Sequence, residues 1–368
     1  MLDFVPFYAD KIPVVSYFWR REGLKYRERN GCDIDLTTAY WTPPLTPNMV
    51  HKSECDQIEK RGVEAIVSIT DHDSIEGSLT AGRDLKSKVP ISLEWTVPFG
   101  IGFFHVGVHN LPQASAREIT DVLLEYTFAA EDAPDGRLMD ILSMLDDTAG
   151  VLVILNHPLW DIELVGKDRH NELLAEFLDL YGHKFHALEI NGFRSWSENN
   201  AVIAMAEAYK MQIVSGGDRH GCQPNTMINL TGATTFDEFA DDIRSGKPSE
   251  VVIFPEYRQP LISRQLASFS EIMGRYPQFP ESRERWFDRI YYDKADGGGA
   301  LPLSVLGWRK GPAWARQVIK LFGMLGSPLA RPIFRLVEKR VDRVPSELNR
   351  DPKTTHLDEK TEPKFSSI

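Results

Sequence analysis

Short apolar, β-branched runs alternate with longer stretches of helical periodicity from about residue 46 to residue 254. Thr46 before Pro47 reads as an N-cap and first helical position, and the helix so opened reaches Arg61 and Gly62, a basic last turn and a C-cap. Val63 to Ile69 has the look of a buried parallel strand and ends at Thr70, Asp71, His72. A helix follows from Glu76 to Lys86. Ile91 to Val97 and Phe103 to Val108 read as strands, Ala114 to Phe128 and Gly136 to Asp147 as helices, and Val151 to Leu155 as a strand ending at His157. Beyond it come a helix from Asn171 to Tyr181, a strand from Phe185 to Ile190, and a Ser-capped helix from Ser197 to Lys210. A strand from Gln212 to Ser215, a helix from Phe236 to Arg244 and a strand from Val251 to Phe254 close the series.

This alternation implies parallel strands joined by crossover helices, either as a barrel or as an open doubly wound sheet. Polar residues at so many strand ends favour the barrel, whose mouth collects loops from all its strands. No glycine-rich phosphate loop or nucleotide fingerprint follows any strand, and no internal repeat is evident.

Composition adds limits. The chain has 368 residues, 42% hydrophobic and 26% charged, which fits a soluble globular protein with one large domain and an appendage. Cys32, Cys55 and Cys222 are too few and too irregularly spaced for a disulfide framework or a cysteine zinc cluster, so a reducing cytoplasm is the expected location. Neither a signal peptide nor a membrane span is expected. The net charge of -11 is uneven: residues 258–343 carry 16 Lys and Arg against 8 Asp and Glu, whereas residues 1–257 carry 22 against 40. An acidic body disfavours general nucleic-acid binding, because phosphate contacts need clustered positive charge.

Imidazoles and carboxylates gather where apolar runs stop. His72 lies between Asp71 and Asp73, His157 precedes Pro158, and Asp218 and His220 follow Gly216 and Gly217. Two residues apart in extended backbone, Asp218 and His220 fall on one face, as a ligand pair requires. Glu94, among Ile91, Leu93, Trp95 and Val97, is a carboxylate that burial penalises unless a cation accompanies it. His105 sits in a similarly apolar strand. Each residue alone has a structural explanation; together they point to a metal-dependent hydrolase.

In order and context these fragments resemble the PHP superfamily, the polymerase and histidinol phosphatase domains, over about residues 32–254. Thr70, Asp71, His72 matches the second motif, Glu94 the glutamate, His105 the strand histidine, His157 with Pro158 the His-Pro pair, and Asp218 with His220 the final Asp-x-His. Glu189, Ile190, Asn191 resembles the strand before that last motif. The resemblance implies a distorted (β/α)7 barrel, a Glu94, His105, His157 subsite open to water, and His72 and His220 contributing to a second metal. It also implies a phosphate ester as substrate; Arg194, after Asn191 and Gly192, and Arg219, between Asp218 and His220, are candidates to bind its oxygens through a planar guanidinium, and Asp71 and Asp73 to orient His72 or act as a general acid. The first motif departs. Straightforward alignment puts Thr37 and Ala39 where two histidines belong; a shifted one substitutes Asp33 and Asp35, which suit a harder cation. One or two divalent ions of zinc, manganese or magnesium are therefore expected in place of three.

The expected organisation is an N-terminal extension (1–31), a PHP-like barrel (32–257), a basic, mainly helical extension (258–345) and a disordered tail (346–368). The stretch from Ala313 to Leu325 sets Trp314, Val318, Ile319, Leu321, Phe322 and Leu325 among Arg316 and Lys320, either packed on the barrel or, within residues 300–343, meeting an anionic membrane or a protein. Two functions remain open, a metal-dependent phosphoesterase and a catalytically degenerate PHP-like binding or regulatory module retaining at most a structural metal.

Overall fold

Local signals set the helices. In the computed structural model, which describes residues 13–33, 39–85, 89–162, 164–293, 300–305 and 313–345, the helix Pro47–Glu59 is capped by Thr46, whose hydroxyl accepts from the Met49 N–H at 3.4 Å. Ser195 and Thr235 do the same for Trp196–Tyr209 and Phe236–Arg244, accepting from the third residue on at 3.2 Å in both. The strands, in chain order, are β1 (Tyr40–Trp41), β2 (Asp71–His72), β3 (Leu93–Phe99), β4 (Gly102–His109), β5 (Leu152–Asn156), β6 (Ala187–Asn191), β7 (Gln212–Gly216), β8 (Met227–Leu230), β9 (Glu250–Ile253), β10 (Ile290–Asp293) and β11 (Ala300–Pro302).

The chain divides into two units: Met1–Leu45, His220–Cys222 and Leu266–Ala330 form one, and Thr46–Arg219, Gln223–Gln265 and Arg331–Ile368 the other. The larger is a mixed α/β unit around a six-stranded sheet of order β2-β3-β4-β5-β6-β7. Pairing is parallel at β2–β3, β5–β6 and β6–β7, and antiparallel at β3–β4 and β4–β5. This departs from a wholly parallel series, and among the described residues no ladder joins β2 to β7. The reversal has a local cause. Phe99 pairs with Gly102, leaving Gly100 and Ile101 as a two-residue turn, and Gly100 takes φ +59, as the first position of a II′ hairpin turn demands.

Two strand expectations change. Within Val63 to Ile69 no ladder forms, and only Asp71 and His72 pair, with Leu93 and Glu94. The backbone that would partner it is engaged elsewhere: Ser92 N–H donates to Ser78 Oγ at 3.2 Å and the Ile91 carbonyl accepts from Leu111 at 2.8 Å. β8, paired antiparallel with β9, has no counterpart in the sequence reading; four residues interrupted by Asn229 give too short an alternation to signal a strand.

Side chains alternate across the sheet. Leu93, Trp95, Val97, Val106, Val108, Val153, Leu155, Leu188 and Ile190 enter the main core with Leu123, Leu142, Leu145, Leu174 and Phe177 of the flanking helices. A smaller cluster of Leu152, Ile154, Ala187 and Val214 packs under Phe239, Ala240 and Ile243 of the helix Phe236–Arg244. Residues 344 and 345 of this unit return to the core: Val344 packs on it, and the Val344 and Pro345 carbonyls accept from Arg258 at 3.4 and 3.3 Å. Ile333, Leu336, Val337 and Val341 stay exposed among Arg335, Lys339, Arg340 and Arg343.

In the other unit β1, β10 and β11 form an antiparallel sheet with Ala39, Phe287 and Leu303 beneath it. The buried Arg289 guanidinium donates to the carbonyls of Arg283 at 2.8 Å and Gly274 at 3.2 Å. The expected C-terminal helix is present as Ala313–Gly326 and packs, Phe322 edge-on to Phe269 at 5.0 Å and Gly326 directly over the Ala267 backbone. Among the described residues no helix is long and apolar enough to cross a membrane.

Candidate metal centre

The alternation that fills the core with Leu93, Trp95, Val97, Val106 and Val108 turns Glu94, Thr96, His105 and Gly107 to the opposite face of β3 and β4. Register then brings the polar set together. His72 pairs with Glu94 across β2–β3, and His105 with Asn156 across β4–β5, one residue before His157. Glu94 Oε1 lies 3.4 Å from His105 Nδ1 and 3.1 Å from His157 Nε2, and those two nitrogens are 3.4 Å apart. Glu94 Oε2 faces His72 Nδ1 at 3.4 Å. His72, Glu94 and His105 together offer ligand atoms within 4.8 Å of one another.

These spacings suit a cation. Four ligands at zinc–nitrogen and zinc–oxygen bond lengths stand about 3.3 Å apart in a tetrahedron, and the Glu94, His105, His157 atoms match that separation. Two nitrogens and a carboxylate oxygen form a donor set for zinc or a neighbouring transition metal. Protonation agrees with the geometry. Burial works against a charged Glu94, but His72 and His105, with hydrogen bonds from His105 and His157, hold its carboxyl well below the usual carboxylate range. Burial pushes His157 down, Glu94 opposing only in part, and a neutral imidazole is the ligating form.

The surrounding residues fix these side chains. Asn156 donates to Glu94 Oε1 at 2.9 Å, and Gly107 leaves it room, since a Cβ there would come within 2.8 Å of Asn156 Oδ1. Asp73 accepts from Thr96 N–H at 2.7 Å and Thr96 Oγ1 at 2.8 Å, while its own N–H donates to the Glu94 carbonyl at 2.8 Å. Burial raises the Asp73 carboxyl, with the Thr96 bonds opposing. Glu189 is buried, accepts from the His157 N–H at 2.9 Å and is pushed up to about 8 by burial and by Glu94. Asp73, His157 and Asp218 all take positive φ (+51, +28 and +44) just beyond β2, β5 and β7. Such backbone in non-glycine residues is strained and concentrates at functional sites.

Other expected residues lie as follows. Asp218 accepts from Arg194 at 2.7 Å, and the buried Arg194 guanidinium stacks 3.7 Å over Trp160, itself edge-on to His157 at 5.1 Å. Arg219 pairs with Glu54 of the helix Pro47–Glu59 at 2.6 Å, so its charge has a carboxylate partner within the fold. The Asp71 carboxylate lies close over Gly77, where a Cβ would overlap it. His220 belongs to the smaller unit, stacked on Trp41 at 6.2 Å between centroids. Asp33, in the same unit, is exposed and paired with Arg27. Asp35 and Thr37 lie outside the described residues. Sequence reasoning read Asn156 only as part of the strand end at His157, missed Trp160 and saw Glu189 only as part of a motif. Asn156 and Trp160 flank His157 closely in the chain, which was the available signal; Glu189 acts through a backbone N–H 32 residues away, which left none.

No family model matches the chain, and no curated protein does. Solved structures similar to it include an amidohydrolase from Chromobacterium violaceum with bound sulfate and no metal, at 17% identity and TM-score 0.33 over 48% of this chain and 83% of that one. PsfC from Pseudomonas syringae aligns at 15% identity and TM-score 0.37, covering 57% and 85%. A protein described as a metal-dependent phosphoesterase, from Bifidobacterium adolescentis, aligns at 14% identity and TM-score 0.33, covering 55% and 91%. Similarity at this level carries none of the site assignment, which rests on the strand register and the ligand spacing.

Proposed function

We propose that the protein is a metal-dependent hydrolase of PHP type, acting on phosphate esters at a mononuclear or dinuclear site, with its sheet forming part of a distorted barrel. The observation that carries this reading is the mutual approach of Glu94 Oε1, His105 Nδ1 and His157 Nε2 to between 3.1 and 3.4 Å. These three residues would hold the catalytic cation, and His72, across the same carboxylate, would serve a second. Asp218, just beyond β7 of the same unit, completes the proposed set. A divalent ion bound there supplies Lewis acidity toward a phosphoryl oxygen.

The chain's own residues do the rest. Glu94 would bind through a carboxyl that its neighbours His72 and His105 hold well below the usual carboxylate range. Asp73 braces β3 through Thr96 so that Glu94 keeps its aim. Arg194, flattened on Trp160, is a cation of fixed orientation for ester oxygens. The test is metal analysis of the purified protein, followed by assay of the metal-loaded form against phosphomonoesters and phosphodiesters beside His157→Ala. Near-stoichiometric metal and turnover abolished in the variant are expected. Trace metal with no difference between the two proteins would sink the reading.

One observation favours the second reading, a binding module with a structural metal. Asp218 and Arg219 both sit in ion pairs, with Arg194 and Glu54. Stoichiometric metal without hydrolysis of any ester in the panel would select it. We further propose that the exposed apolar positions Ile333, Leu336, Val337 and Val341, set among four cationic side chains in an acidic protein, meet an anionic lipid surface. Co-sedimentation with phosphatidylserine vesicles, lost in a Leu336→Glu, Val337→Glu double variant, is the expected result; equal sedimentation of both proteins would rule it out.

A further inference from the structure

Among the described residues Glu189 is bonded to the backbone of His157 and to Asn191, and the fold is arranged to admit it. It rises from β6 on the face that carries Glu94 and His105, and its carboxylate is enclosed. Oε2 accepts from the His157 N–H at 2.9 Å and from Asn191 Nδ2 at 3.1 Å. Oε1 lies against Gly216 of the neighbouring strand, where Gly216 pairs with Asn191. A Cβ at Gly216 would overlap that oxygen, so only glycine leaves Glu189 its place.

The consequence falls on His157. Its φ of +28 is a conformation that a non-glycine residue keeps only when its surroundings impose it. Two hydrogen bonds grip its backbone: Glu189 takes the N–H, and the His157 carbonyl accepts from the Trp160 N–H at 3.0 Å. Without the first, the peptide can relax toward a negative φ, and that rotation swings the ring away from Glu94 Oε1.

We infer that Glu189, seated against Gly216, is the positioning residue that holds His157 in ligating geometry. The inference rests on the metal-centre reading above and adds to it a residue that binds no cation itself. Losing a partner that orients a ligand typically weakens metal affinity by about 10 to 100-fold.

Cobalt(II) titration, followed by visible d–d absorption and by competition with zinc, tests it without relying on turnover. Expected is a Glu189→Ala variant that keeps its circular dichroism and melting profile but binds cobalt about 10 to 100-fold more weakly with an altered spectrum. Glu189→Gln, which keeps an acceptor for the His157 N–H, should stay within about 3-fold of the parent, and Gly216→Ala should follow Glu189→Ala. If Glu189→Ala does not fold, Glu189→Asp decides, one methylene too short to reach the same N–H. Parent-like cobalt affinity and spectrum in Glu189→Ala, or in Glu189→Asp where that variant decides, overturns the inference and leaves the metal centre standing. A parent protein that binds neither cobalt nor zinc overturns both.

Discussion

Glu94, His105 and His157 are each a poor choice for an apolar interior and a good one together. A buried carboxylate is tolerated when positive or hydrogen-bonding groups surround it, and here three imidazoles and Asn156 do so. Glu94→Gln is therefore expected to lower divalent metal affinity by more than about 100-fold, read by isothermal titration calorimetry, since it removes the ligand that all three histidines share. His109 belongs to the same strand but not to the ligand set. Its Nδ1 meets Ser68 Oγ at 2.9 Å, and burial pushes its pKa from 6.5 down to about 4. The fold thus prefers neutral His109, whereas the unfolded chain takes up a proton once pH drops below 6.5. The stability owed to this preference is full above pH 6.5, declines as pH falls toward 4 and is gone below that, a loss of roughly 3 kcal/mol. Urea denaturation at pH 7 and pH 4.5 should show a smaller difference for His109→Gln than for the parent.

At the scale of elements, the helix signals were legible because caps and periodicity are local. Thr46, Ser195 and Thr235 bond to backbone three residues away, and that contact is written in the sequence. Ser195→Ala should cost about 1 kcal/mol, seen as a lowered melting temperature, and because Ser195 follows Arg194 it should also disturb the stacking of Arg194 on Trp160. Strand direction was less legible. Glu94 pairs with Gly107 because a two-residue turn folds β4 back on β3, and the glycine there is the gap through which Asn156 reaches Glu94. Gly107→Ala is expected to destabilise by about 1–3 kcal/mol and to weaken metal binding as well, measured by thermal melts with and without zinc. Unchanged metal affinity would remove Asn156 from the supporting set.

For the whole molecule, the segment after residue 330 matters more than its sequence suggests. By sequence its basic and apolar residues belong to the mainly helical extension expected over 258–345, yet Val344 packs on the main core, Arg258 holds the Val344 and Pro345 carbonyls, and Asp342 accepts from Ser197. Truncation after Ala330 should therefore lower the melting temperature of the remaining chain by several degrees, corresponding to about 1–3 kcal/mol. A truncated protein that melts with the parent would show that these contacts add nothing to stability.

The sequence by itself determined the residue types at the site, the helices with their caps, and the apolar runs that became β3 to β7, because these follow from neighbours a few positions apart. Only the tertiary structure decided that Glu94 meets His105 and His157, that Arg194 is matched to Asp218 and Arg219 to Glu54, and that Glu189 grips His157. Those contacts join residues up to 165 positions apart, and strand register and the space left by Gly107 and Gly216 select them. Neither register nor empty space is a property of any short stretch of chain.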